Sequence, residues 1–541
     1  MPFSWSPQQL AIFAHVEAGK GSLNVIARAG TGKTTTGVEI ANRAKGRIFF
    51  GAFNKAIADT IATRVAHNPR CTAGTFHSAG YRLFREMRQM AQVDGRKVQS
   101  LARALYPYDK KIREVVAGAV SFAKLDGLGL DGMPTITDLD AWRELFETHD
   151  MADDIPASIS DERVYRDCAT VFQQSIEMFE SKTKCVVDFD DMLYAPLYMQ
   201  MWKPQRYDTV IVDEAQDTNE TRLRLALSIL VDGGTLISIG DDRQAIYGFA
   251  GARNNAMEII KERTHAAELP LSVTYRCPTS IVEMVNSIVP DYRAAETNGV
   301  GTITTIEAEN EPSELLKFWK LTRKLNPATD VILCRLTRPL VGVAKRLRGN
   351  GIPCVVEGNS GKAIIALMTK WGTDMSWGQY LTRMLDYVDT ECKKFRAPMM
   401  TGGKIVMDDE GNPRPKLGGE EKAEYLEEKR AIILDIANDP TPDTDLTKVV
   451  NLVERMFGNG KDNEEVLRLC TVHRAKGREW KRVVLIGRNR YMPSPWAKSD
   501  EDKVAEENVE YVAITRTMEE LVLVNVPPKP KSSEEPEWWE L

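Results

Sequence analysis

Ala27-Arg28-Ala29-Gly30-Thr31-Gly32-Lys33-Thr34 lies between an apolar run, Leu23 to Ile26, and a helix-like segment from Thr35 to Arg43. Its glycines therefore fall at a strand-to-helix turn, the setting that a phosphate-binding loop needs. Gly30 and Gly32 let backbone N–H groups turn toward phosphate oxygens, and the helix that follows favours negative charge at its N-terminus. Lys33 supplies a point charge to the β- and γ-phosphates, and the Thr34 hydroxyl is a Mg2+ ligand. The usual G-x-x-x-x-G-K-[ST] pattern begins with glycine, where this chain has Ala27. Taken alone, the stretch could also be a glycine-rich loop with no ligand.

Strands and helices alternate outward from the loop. Upstream, Trp5-Ser6-Pro7-Gln8-Gln9 opens a helix with Ser6 as N-cap and Pro7 at the first helical position. Downstream, Arg47 to Phe53 reads as a strand, Lys55 to Val65 as a helix, and Cys71 to Ser78 as a strand ending in a polar loop. This alternation indicates a parallel α/β sheet. The pattern returns at Thr209-Val210-Ile211-Val212, which runs into Asp213-Glu214-Ala215-Gln216-Asp217, and at Thr235 to Ile239, which runs into Gly240-Asp241-Asp242-Arg243-Gln244. Buried parallel strands present their polar tips at the carboxyl edge of the sheet, where ligands bind. Beside a phosphate loop, Asp213 is the expected metal partner and Glu214 the expected base that polarises a water. Either tip alone could equally be a loop cap.

At 541 residues the chain has room for about three to four compact units of ~150 residues. Its 43% hydrophobic and 27% charged residues are ordinary for a globular protein. No apolar run reaches the ~18 to 20 residues that span a bilayer, and Met1 to Trp5 has no leader character, so neither membrane nor secretion is expected. The eight cysteines form no C-x-x-C pair, which argues against zinc, iron–sulfur and disulfide frameworks and for a reducing compartment. A net charge of −6 does not advertise a nucleic-acid binder. Charge is local, however: Arg82, Arg85, Arg88, Arg96, Lys97, Arg103, Lys110, Lys111 and Arg113 form a basic stretch, either a solvated helix face or a phosphate track.

From Tyr81 to about Lys184 the pattern is helical and reads as an insertion. Gly301 to Ile306, Asp330 to Cys334, Arg482 to Ile486 and Leu521 to Val524 read as strands of a second α/β domain. Turn-rich, charged sequence between Gly358 and Gly460 marks a second insertion. The tail, 527–541, is expected to be disordered and acidic; its Trp538-Trp539 pair suits a peptide that docks on a protein partner, or an inert end.

These motifs in this order resemble the UvrD/Rep-like branch of superfamily 1 DNA helicases, over Gln9 to Val524. Phe53-Asn54-Lys55, Thr75-Phe76-His77-Ser78 and Asn508 to Arg516 are most similar to the F-box DNA helicase subgroup and phage relatives, although no F-box is read here. The resemblance implies α/β architecture with two RecA-like P-loop NTPase domains, each carrying an inserted, mainly helical subdomain, and ATP in the cleft between them. The implied divisions are 1–80 and 185–265 for the first domain, 81–184 for its insertion, 266–358 and 461–526 for the second domain, and 359–460 for the second insertion.

Carried over by position, Gln9 resembles the adenine-reading glutamine, while Ala29, Gly30, Thr31, Gly32, Lys33 and Thr34 resemble the phosphate and Mg2+ site. Asp213 and Glu214 resemble the metal ligand and water-activating base, and Gln244 the γ-phosphate sensor. Tyr275 resembles the adenine-stacking tyrosine, Arg276 and Arg516 the arginines that reach the γ-phosphate, and Glu479 the ribose-contacting glutamate. On the DNA side, Tyr247 and Phe249 match base-stacking aromatics, with Phe53 a further stacking candidate, and Thr75, His77, Thr471 and His473 match backbone-contacting positions. Thr35, a further nucleotide-binding candidate, stands where some relatives carry an arginine against adenine, and Ala250 where many carry an arginine after the stacking aromatic.

The implied activity is ATP-dependent 3′-to-5′ translocation on single-stranded DNA with duplex unwinding, in replication, repair or recombination. Single strands and single/double-strand junctions are the expected partners. The setting would be the cytoplasm of a bacterium or phage-infected cell, or a nucleus. Alternatives are a protein-displacing translocase with little unwinding, and an ATP-gated scaffold that recruits a partner through its tail.

Overall fold

The computed structural model describes residues 4–149, 151, 155, 159–200, 207–246, 255–307, 326–358, 360–398, 400–401, 404–405, 407, 419–437, 441–457, 466–494, 497 and 500–526. Contacts divide the chain into two units, Met1–Ser272 and Val273–Leu541.

The first unit is built on strands β1 (Leu23–Ala27), β2 (Ile48–Ala52), β3 (Cys71–Thr75), β4 (Tyr207–Asp213), β5 (Leu230–Gly240) and β6 (Ala267–Leu271), in the order β3-β2-β4-β5-β1-β6. Every neighbouring pair is parallel. Both faces of this sheet are covered, which explains the near-continuous apolar runs in its central strands. Ile48, Phe50, Ile211 and Ile239 pack with Ile12 and Phe13 of α1 (Pro7–Glu17), Ile40 of α2 (Lys33–Arg43) and Ile61 of α3 (Lys55–Arg64). The alternate residues Phe49, Val210, Val212 and Leu236 face the other way, into a core shared with α4 (Phe76–Met87) and the insertion. Where the sequence divisions end the first domain at 265, the contacts end it at Ser272, because β6 pairs with β1. Glu268 and Pro270 in β6 hide its strand character.

Register places the motif-bearing tips together. Ile26 is level with Gly240, and Asp213 with Ile239, so β1, β4 and β5 deliver the loop and both acidic tips to one edge of the sheet.

The insertion is helical, with α5 (Lys97–Leu105), α6 (Lys110–Leu125), α7 (Leu139–Thr148) and α8 (Asp161–Glu180), and the chain returns through α9 (Asp191–Tyr198). The basic stretch is not one continuous surface. Arg82, Arg85, Arg96, Arg103, Lys110 and Lys111 are exposed, whereas Lys97 is buried with Val98 and Ala102 on the inner face of α5. Its Nζ lies 2.6 Å from Asp191 and donates to the Ser175 carbonyl. Lys97 is thus withdrawn from any phosphate track.

The second unit repeats the plan with β7 (Thr302–Glu307), β8 (Asp330–Cys334), β9 (Cys354–Glu357), β10 (Leu467–Thr471), β11 (Trp480–Ile486) and β12 (Thr517–Asn525). The order is β7-β12-β11-β8-β10-β9, again parallel throughout. Helices Ser360–Met368, Trp377–Arg396, Gly419–Ala437 and Leu446–Met456, with the short strands Met400–Thr401 and Lys404–Ile405, form the described part of the second insertion. They bury Trp377, Tyr380, Met384, Ile432 and Val453 in a core continuous with Cys334, Val356 and Leu467. Residues 408–418, 458–465 and the tail 527–541 lie outside the described residues. Among the described residues no helix is long and apolar enough to cross a membrane.

Candidate nucleotide and nucleic-acid site

In the first unit Gly30 and Gly32 have φ of +69° and +82°, the left-handed region that glycine adopts without steric cost. Gly32 precedes α2 without a side-chain cap, which leaves the first amides of the helix for a ligand. The loop is pinned at its start: the Arg28 amide donates to the Leu271 carbonyl at 2.9 Å, and the Arg28 carbonyl accepts from the Thr31 hydroxyl at 2.8 Å. Ala29 and Thr31 are buried beneath the turn.

Lys33 Nζ lies 3.4 Å from Glu214 Oε2. Glu214 has φ +50° and ψ +48°, a left-handed conformation that costs a residue with a side chain about 1–2 kcal/mol. Such strain is concentrated at functional positions. Glu214 donates its amide to Asp213 Oδ1 at 3.1 Å. Burial, reinforced by the neighbouring Glu214 charge and opposed by Lys33, pushes the Asp213 carboxyl well above its ordinary range. A carboxylate held in this way is stabilised by a cation, so Asp213 together with the Thr34 hydroxyl fits an oxygen-liganded Mg2+. Among the described residues no group of three or more His, Cys, Asp or Glu is gathered for a metal ion.

Gln9 lies against the loop. A Cβ added at Gly32 would stand 3.8 Å from its Nε2. The amide already donates to Thr36 Oγ1 at 3.0 Å and accepts from the Ser6 amide at 2.9 Å, closing the capping box of α1. Thr35 accepts from Arg64 at 3.1 Å.

Three residues without an assigned role complete the group. Gln216 donates to Glu214 Oε2 at 2.6 Å and accepts from the Asp241 amide at 3.0 Å. Asp241 Oδ2 accepts from Gln244 Nε2 at 2.7 Å. Arg28 Nη1 lies 3.4 Å from Asp241 and 2.5 Å from Asp242. The sequence signal was an arginine inside the loop and a double aspartate at the second tip, legible only once the sheet order sets β1 beside β5.

The nucleic-acid candidates of the first unit flank this group. Ala52 pairs with Thr75, so Phe53 and Thr75 leave the sheet side by side. Phe53 is 37% exposed, with the Arg222 guanidinium 5.5 Å from its ring centroid. Thr75 caps α4 by accepting from the Ser78 amide at 3.1 Å. Burial and the Arg222 charge lower the His77 imidazole to about 4, so it is neutral at pH 7. Tyr247, Phe249 and Ala250 lie outside the described residues.

In the second unit, Arg276, Glu479 and Arg516 are brought together. Arg276 Nε lies 2.5 Å from Glu479 Oε2, and its Nη1 donates to the Thr515 carbonyl at 3.4 Å. Arg516 is only 1% exposed, and donates to the carbonyls of Val512 at 3.0 Å and Arg478 at 3.2 Å and to Thr515 Oγ1 at 3.2 Å. Burial, with the Arg276 charge second, lowers its guanidinium to about 10. Tyr275 stands out at 48% exposure. Thr471 occupies the N-cap position of the short helix Val472–Ala475, with no capping hydrogen bond from its side chain. Burial and the Arg335 charge lower His473 to about 4.

The UvrD/REP helicase N-terminal domain matches residues 5–265, and the UvrD-like helicase C-terminal domain matches residues 389–526. F-box DNA helicase protein 1 of Schizosaccharomyces pombe is 25% identical over 544 residues, covering 96% of this chain and 57% of that protein. DNA helicase II of Haemophilus influenzae is 25% identical over 304 residues, covering 51% of this chain and 39% of that protein. DNA helicase II of Escherichia coli is 29% identical over 112 residues, 19% of this chain and 16% of that protein. The chain thus spans little more than half the length of the first of these relatives, and less of the others. With both domain types matched, in order and around two parallel sheets whose edges carry the motifs, the chain belongs to the UvrD/Rep-like superfamily 1 DNA helicases.

Proposed function

We propose that this chain is an ATP-dependent motor that moves along single-stranded DNA in the 3′-to-5′ direction and unwinds duplex at single/double-strand junctions. The observation that carries the reading is the meeting of Lys33, Glu214 and Asp213 at one sheet edge, with Glu214 in a strained backbone conformation. ATP bound with Mg2+ supplies a phosphoanhydride whose hydrolysis is the energy source. Thr34 and Asp213 would hold the metal, and Lys33 would neutralise phosphate charge. Glu214 accepts the proton of the attacking water, a role for which its Oε2, held by Lys33 and Gln216, is oriented. Gln244, Arg276 and Arg516 are assigned to the γ-phosphate, Tyr275 and Gln9 to adenine, and Glu479 to the ribose.

Phe53, Tyr247 and Phe249 are assigned to stacking on bases, which suits sequence-blind binding because every base has a π-face. Thr75, His77, Thr471 and His473 are assigned to the DNA backbone. With both imidazoles neutral, His77 and His473 act there through hydrogen bonds and not as cations.

The test is strand displacement from duplexes carrying either a 3′ or a 5′ single-stranded tail, run beside removal of a protein block from a single strand. Displacement of the 3′-tailed duplex alone is the expected result. Block removal without strand displacement would replace unwinding with protein displacement as the activity.

A further inference from the structure

The contacts around the phosphate loop close into a ring. From Arg28 the path runs to Asp241, through the Asp241 amide to Gln216, from Gln216 Nε2 to Glu214, and from Glu214 to Lys33, five residues along the same loop. The two ends of this path behave differently. Lys33 opens α2 on a backbone turned by two glycines, whereas Arg28 is tied by its amide to β6 and by its carbonyl to Thr31. The backbone of Arg28 is therefore a fixed point, and its guanidinium reaches from there to two carboxylates on the tip of β5.

Asp241 is the hub. Its side chain is fully buried, its Oδ1 faces Arg28 and the Arg243 amide at 3.3 Å, and its Oδ2 holds the amide of Gln244. A carboxylate in such a place keeps its charge and orientation only while a cation faces it. Two cations face it, Lys33 with the larger effect and then Arg28; Arg28 lies within ion-pair distance of it, and the pairing with Asp242 fixes the guanidinium from the solvent side.

We infer that Arg28 is a positioning residue for recognition of the terminal phosphate: by holding Asp241 it sets the amide of Gln244 toward the phosphate loop. This rests on the ATPase reading above, in which Gln244 is the γ-phosphate sensor. In this reading Arg28 makes no contact of its own with the phosphates. It acts through Asp241 and Gln244, and the consequence is selective: a ligand with a third phosphate uses the arrangement, and one with two phosphates does not.

The experiment uses the full chain with ADP and a non-hydrolysable ATP analogue as binding probes, alongside ATP hydrolysis. For Arg28→Ala the analogue should bind roughly tenfold more weakly and kcat should fall by a similar factor, the range seen when outer-shell partners of other sites are removed. ADP affinity should stay within about twofold, well inside the margin of a lost positioning contact. Arg28→Lys should recover part of the loss, since an ammonium keeps the charge but not the fork that spans two carboxylates. Asp242→Asn, at an exposed carboxylate, should shift the analogue in the same direction by less. If Arg28→Ala does not fold, Arg28→Lys and Asp242→Asn make the same comparison. Equal losses for ADP and the analogue, or no change in either, would overturn the inference. Failure of the underlying reading looks different: the unaltered chain would hydrolyse no ATP, or Lys33→Ala would hydrolyse it as fast.

Discussion

The Nζ of Lys33 stands 3.4 Å from Oε2 of Glu214, which joins the phosphate loop of β1 to the acidic tip of β4. Two groups of opposite charge at one edge of a parallel sheet, on strands separated by β5, are the minimum that phosphoryl transfer to water requires of a protein: a cation for the phosphate and a base for the water. Glu214→Gln keeps the shape and the hydrogen bonds but removes the base. We expect kcat for ATP hydrolysis to fall by about 10² or more, as for other general bases, with KM changed little. Steady-state kinetics check this; a variant retaining most of its turnover would exclude Glu214 as the base.

The two arginines of the second unit should separate function from stability. Arg276 holds the 46% exposed Glu479 at 2.5 Å and the Thr515 carbonyl at 3.4 Å, so Arg276→Ala should lower the melting temperature less than Arg516→Ala does. Its loss from the γ-phosphate should lower kcat by about 10³, the low end for an arginine finger. Arg516 is buried and holds two carbonyls and a hydroxyl, so Arg516→Ala orphans buried acceptors and should also destabilise the unit by about 1–3 kcal/mol. Thermal melts beside ATPase assays decide the matter, and equal melting shifts for both variants would contradict the assignment.

His77 and His473 make stability depend on acid. Each has a folded-state pKa of about 4 against an ordinary 6.5, so above pH 6.5 both states hold neutral imidazoles and nothing is lost. As the pH falls from 6.5 toward 4, the unfolded chain takes up protons that the folded chain refuses, and stability declines. Asp188 acts in the opposite sense: burial and the Asp191 charge raise it to about 6, so the folded chain accepts its proton first. The histidines are therefore isolated by substitution. Urea melts of the His77→Gln, His473→Gln double variant at pH 7 and pH 5 should show a smaller drop than the unaltered chain. An equal or larger drop would refute the buried neutral assignment.

Lys124 anchors the insertion. Its Nζ, fully buried, lies 2.8 Å from Asp188 and 2.7 Å from Asp191, while Lys97 holds the other oxygen of Asp191 at 2.6 Å. Removing one partner from a buried ion group leaves a charge uncompensated, so Lys124→Met should cost about 3–5 kcal/mol. Chemical denaturation reads this directly, and a loss under about 0.5 kcal/mol, the scatter of ordinary surface changes, would contradict the arrangement.

Much of this was legible in the residues. The loop from Ala27 to Thr34, the β-branched run at Thr209 to Val212 and the apolar run at Asp330 to Cys334 carry their structure in short-range pattern, and the sheets place them accordingly. β6, β9 and β10 escaped because Ala267–Leu271 is interrupted by Glu268 and Pro270, and Cys354–Glu357 and Leu467–Thr471 are only short runs, each made a strand by its neighbours in the sheet. The basic stretch misled in part, since charge alone does not reveal that Lys97 turns inward toward Asp191, far along the chain. Arg28 is the clearest case of the limit. Its role depends on strand order, and strand order is a property of the whole sheet.

The most direct test of the account is ATP hydrolysis measured with and without single-stranded DNA, for the unaltered chain and for Lys33→Ala. The account predicts hydrolysis that single-stranded DNA stimulates, and its loss in Lys33→Ala while DNA binding persists. Hydrolysis indifferent to DNA, or undiminished in Lys33→Ala, would contradict it.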